Sequence, residues 1–160
     1  MKAFILFLVG LVIGGIGMGA VVWTQAPGAM LHERPSPHTM EATMTKITDL
    51  AKAEGWAVQS IIKLEESIKK NGGGDVLPIR LINLCQAKHA AKMMSKDDLR
   101  KLSVFMPCTI SVYPKQDGKT YVASMNAALL GKLWGGLVAE VMGQEVAEAQ
   151  EKFVDAATAE

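Results

Sequence analysis

The pattern of apolar and polar positions divides the chain into three stretches. From Ala3 to Thr24 no side chain is charged (AFILFLVGLVIGGIGMGAVVWT), a run of 22 residues. A helix of that length, at about 1.5 Å per residue, reaches across a hydrocarbon core of roughly 30 Å. Cleaved signal peptides carry a shorter apolar region of about 7–15 residues. The run therefore predicts an uncleaved transmembrane signal-anchor helix over residues 1–24. The small residues of Gln25-Ala26-Pro27-Gly28-Ala29 leave cleavage open as the alternative. Residues 25–37 hold Pro27, Gly28, Pro35 and Pro37. Proline lacks a backbone donor and restricts the residue before it, so this stretch predicts an extended spacer.

From residue 38 to 160 the pattern becomes that of a soluble domain. Met40, Met44, Ile47, Leu50 and Ala51 recur at three- and four-residue steps, which predicts a helix over 39–54 with Thr39 as its cap and Gly55 as its stop. Residues 56–62 read as a strand, 64–70 as a short helix, and Asn71-Gly72-Gly73-Gly74 as a loop. Partial alternation over 79–85 predicts a second strand, followed by a helix over 88–94 and a helical turn over 97–101. Strands over 109–113 and 119–125 flank Asp117-Gly118, a strong hairpin signal. Asn126 opens a helix over 127–134, and Leu137 to Ala157 forms a long last helix. Interspersed helices and strands with a terminal hairpin predict an α+β fold: a small sheet of about four strands with covering helices, preceded by the single transmembrane helix.

Composition narrows the function. Seventeen basic residues nearly balance sixteen acidic ones, and no Lys/Arg stripe is present, so nucleic acid is not an expected partner. Lys2 flanks one end of the apolar run, and the positive-inside rule places it in the cytoplasm. The expected location is the bacterial inner membrane, with a single pass, a cytoplasmic N-terminus and a periplasmic domain. Gly10/Gly14 and Gly15/Gly19 repeat the spacing that lets a second helix approach closely. The expected partners are the membrane itself and either integral-membrane proteins or a second copy of the chain.

Several short stretches from about His38 to Phe153 stand in a recognisable order. They are Lys52-Ala53-Glu54-Gly55-Trp56, Leu77-Pro78-Ile79-Arg80-Leu81 running into Cys85, Ala90-Ala91-Lys92, and Met106-Pro107-Cys108-Thr109-Ile110-Ser111-Val112-Tyr113 leading to Asp117-Gly118-Lys119. In these the chain resembles a bacterial family known as domain of unknown function 302. Members commonly follow the first cysteine with Asn-Pro, where this chain has Gln86-Ala87. The resemblance implies a compact, often dimeric α+β domain, and no reaction.

Candidate chemistry is sparse. Cys85 and Cys108 are the only cysteines. They fit a disulfide in an oxidising compartment, two buried thiols, or ligands of a metal or haem. His89 and Met93 lie one helical turn apart, and His38 precedes Met40. Imidazole and thioether together suit copper, above all Cu(I), although methionine is also a routine core filler. Glu65-Glu66 and Asp97-Asp98 read as solvated first turns of helices. No GxSxG, HExxH, P-loop or Rossmann glycine pattern occurs. The expectation is a protein that is not an enzyme and carries no cofactor. It would be an anchored accessory subunit that stabilises a larger membrane assembly, such as an electron-transfer complex. The alternative is a stand-alone anchored binder of a metal, haem or small ligand.

Overall fold

A computed structural model describes residues 2–160, apart from the side chains of residues 3, 5, 6, 8, 9 and 27. Met1, the first residue of the expected anchor, lies outside them. The apolar run forms helix α1 (Lys2–Ala29), which continues five residues beyond Thr24 into the stretch read as spacer. Its described apolar side chains stand open: Phe4, Phe7, Leu11, Val12, Ile13 and Ile16 are all more than half exposed. Among the described residues no helix is long and apolar enough to cross a membrane. Side chains in α1 are described without a break only from Gly10 to Ala26.

The domain is α+β, with five antiparallel strands where about four were expected. They are β1 (Leu31–Ser36), β2 (Ala57–Lys63), β3 (Arg80–Cys85), β4 (Cys108–Pro114) and β5 (Thr120–Met125), in the order β1-β5-β4-β3-β2. The additional strand is β1, drawn from the proline-rich stretch. Leu31↔Met125 through Ser36↔Thr120 pair in register. Pro35 is tolerated because β1 is an edge strand. Residues 31–36 are therefore part of the domain and not a spacer. Arg34 bonds to Glu151 and Asp155, while the Ser36 hydroxyl donates to the Ala157 carbonyl at 2.7 Å. Glu33 accepts from Tyr113 and Lys115.

Strand alternation separates the two faces of the sheet. Ile82, Leu84, Ile110, Val112 and Val122 are buried on one face. That face is covered by α2 (Met40–Ala53) and α7 (Ala147–Thr158), which bring Ile47, Ala51 and Phe153 into the same core. Thr39 caps α2 as expected, its side chain accepting from Ala42 N–H at 3.3 Å. Gly55 ends α2 at φ +76°, a conformation that L side chains rarely adopt. The hairpin forms around Lys115–Gly118, with Gly118 N–H donating to the Lys115 carbonyl at 3.0 Å.

Two local readings change. Glu65, in the first turn of α3 (Leu64–Lys70), is not solvated: its carboxylate accepts from Ile79 N–H at 3.1 Å and pairs with Arg80. The long last helix is not uniform. It comprises α6 (Gly136–Glu140), a π-turn segment (Val141–Val146) and α7. Before it, α5 (Ala127–Trp134) is capped by Asn126, whose side chain accepts from Leu129 N–H at 2.9 Å. The same side chain donates to the Ala29 carbonyl at 2.9 Å, tying the end of α1 to the domain.

Candidate functional site

Where β3 ends and β4 begins, the chain lines a small cavity. β3 leads through Gln86 into α4 (Ala87–Met94), and a 3-10 helix (Asp97–Phe105) returns the chain to Met106-Pro107 and the start of β4. The π-turn segment closes the other side through Val141, Met142 and Val146. The volume is about 20 Å³. That is room for roughly one water-sized particle, far below the few hundred Å³ of an organic ligand site.

The lining is rich in sulfur. Cys108, Met93 and Met142 are buried in its wall, while Cys85, Met106 and His89 are half-buried around it. Cys108 lies opposite Leu84 in the β3–β4 register, on the covered face. Cys85 follows Leu84, so alternation starts its side chain toward the other face, at the point where the strand turns into α4. Both cysteines are free thiols. Burial, with a smaller contribution from Cys85, pushes the Cys108 thiol up to about 11, so it is protonated at neutral pH.

His89 is held from two directions. Its ring sits 5.9 Å from that of Trp56, which in turn meets Phe153 edge-on at 5.6 Å. Its Nδ1 lies 2.7 Å from Oε2 of Glu145, a close contact without hydrogen-bond alignment, so that buried oxygen is unpartnered. One turn along α4, Lys92 pairs with Glu140 at 2.6 Å. Residues five apart on an α-helix point roughly 140° away from each other. The i→i+5 bonding of a π-turn brings them close to one face, so Glu140 and Glu145 both reach α4.

The residues singled out in the sequence divide clearly. Cys85, Cys108, His89 and Met93 converge on the cavity. His38 and Met40 do not. His38 Nε2 contacts the Ala159 carbonyl at 3.1 Å, and Met40 packs against the core. Gly10, Gly14, Gly15 and Gly19 lie along α1, and a Cβ at any of them would meet nothing within 4 Å. Met106, Met142 and Glu145 were not assigned to a site by spacing, because only the return of distant segments brings them to Cys108. Among the described residues, no three His, Cys, Asp or Glu side chains are grouped closely enough to hold a metal ion.

A family model described as "Domain of unknown function DUF302" matches residues 32–158. The chain belongs to the DUF302 family. The matched region begins within β1, in agreement with the strand pairing that joins residues 31–36 to the sheet. A crystal structure of an uncharacterized conserved DUF302 protein from Bacillus stearothermophilus superposes with a TM-score of 0.68 at 17% identity. The match covers 80% of this chain and 98% of that one. At that identity the likeness establishes the DUF302 fold alone. Comparison with curated proteins gives no match.

Proposed function

We propose that this DUF302 protein is a non-catalytic, membrane-anchored accessory subunit. In this reading α1 inserts in the bacterial inner membrane, with its N-terminus in the cytoplasm and the domain in the periplasm. The glycine positions of α1 dock it to integral-membrane partners of a larger assembly, such as an electron-transfer complex. The observation that carries this reading is the uncharged run from Ala3 to Thr24 within a 28-residue helix whose described apolar side chains the domain leaves bare. Exposing such a surface to water is costly, at about 25 cal/mol per Å². A lipid phase or a partner helix removes that cost. A groove along Gly15, Gly19, Val22 and Ala26 supplies the close-approach surface.

The test is purification of the tagged full chain in mild detergent, with mass spectrometry of what accompanies it. Integral-membrane proteins at a fixed ratio are expected, and they should be lost when Gly15 and Gly19 are both replaced by Leu. A chain that washes from membranes with salt, or that purifies alone, would sink the proposal. A second reading, an anchored binder of a metal, haem or small ligand, is favoured by one observation: the sulfur-lined cavity beside Cys108.

A further inference from the structure

We infer that the cavity between β3, β4, α4 and the π-turn segment is a binding site for a single soft monovalent cation, Cu(I). Cys108, Met93 and Met142 form its inner ligand wall, and His89 with Cys85 stands at its rim. The inference rests on the second reading above and selects among its ligands.

Size makes the first selection. A cavity of about 20 Å³ admits one ion or one water and excludes haem and organic molecules. Chemistry makes the second. A buried water needs two to four polar partners, whereas Met93, Met142, Leu84, Val141 and Val146 leave most of the wall apolar or thioether. A hard cation such as Ca²⁺ or Mg²⁺ requires several oxygen ligands, which this wall does not offer. Zinc takes three or four Cys, His or carboxylate ligands, and no such group of three is assembled among the described residues. Thioether and thiolate sulfur together suit Cu(I), which tolerates few ligands and binds methionine.

Two further features suit a ligand site. Histidines that bind metals commonly offer their second ring nitrogen to a carboxylate, which fixes the ring. Here a carboxylate stands within reach of that role: Nδ1 of His89 lies 2.7 Å from Oε2 of Glu145, a buried oxygen that no hydrogen bond satisfies. That contact depends on the π-turn, a geometry concentrated at functional sites. Binding at Cys108 replaces the thiol proton, which leaves to solvent, by the copper ion. No electron is transferred.

The experiment is Cu(I) titration of the detergent-purified full chain against a chromophoric Cu(I) chelator, with copper and zinc counted by elemental analysis. One Cu(I) per chain is expected. Replacing Cys108 by Ala, or Met93 and Met142 both by Leu, should each weaken retention at least tenfold. The Met→Leu pair conserves volume and is expected to preserve the fold, checked by circular dichroism. A wild-type chain that retains no Cu(I), or retention unchanged in the Met93→Leu/Met142→Leu variant, would overturn the inference. So would zinc held in preference to copper. Partner proteins are scored separately in the same purification, so failure of the copper site and failure of membrane docking give different results.

Discussion

Glu65 illustrates how tertiary contacts redefine a single charge. An acidic residue in the first turn of a helix is ordinarily solvated and favoured by the helix dipole. In this fold Glu65 sits beside the start of β3 with its side chain only 16% exposed. Burial alone would push its carboxyl up, but the N–H groups of Ile79 and Glu65 itself, with Arg80, more than offset this. The net effect is a value below 4.5. A carboxylate depressed on folding adds stability above its unfolded pKa and loses it as pH falls through the folded one. Glu65→Gln is therefore expected to lower stability at neutral pH, with the deficit shrinking progressively below pH 4.5. Urea unfolding at several pH values measures this, and a deficit that stays constant down to pH 2 would contradict it.

At the scale of elements, the crossing of α5 with the π-turn segment is set by two glycines. A Cβ on Gly131 would lie 2.4 Å from Cα and 2.6 Å from N of Gly143, backbone that cannot rotate aside. A Cβ on Gly143 would come no closer than 3.3 Å to Gly131. Gly131→Ala is therefore expected to destabilise by about 1–3 kcal/mol, as overpacking does, and Gly143→Ala by less. Denaturant midpoints test the order, and a reversed ranking would show a different crossing in solution. The same crossing holds Val141, Met142 and Val146 against the cavity, so helix packing here also shapes the candidate site.

At the scale of the whole molecule, α1 and the domain meet through few bonds among the described residues. Asn126 accounts for one, to Ala29, and makes a second bond to Met30 just beyond α1; the sheet begins only at Leu31. A chain lacking residues 1–24 is therefore expected to keep the unfolding midpoint of the full chain in detergent and to stay soluble without detergent. If the shortened chain fails to fold, α1 is part of the core and not an appendage to it.

Much of the architecture could be read from the chain because its signals are local. Periodic apolar spacing, the Thr39 and Asn126 caps, the stop at Gly55 and the Asp117-Gly118 turn each act within a few residues, and the corresponding elements appear where those signals place them. The uncharged run is equally local, since transfer from water depends on composition more than on neighbours. Three features depended on distant segments. β1 looks like a proline-rich spacer until β5 offers it an edge, because strand pairing lies between segments some ninety residues apart. The π-turn has no evident spacing signature, and it lies where this segment packs closely across α5. The cavity draws Cys85, His89, Met93, Cys108 and Met142 from four elements. Residue types alone could name its sulfur and imidazole, but only the folded chain could bring them together and leave His38 and Met40 elsewhere.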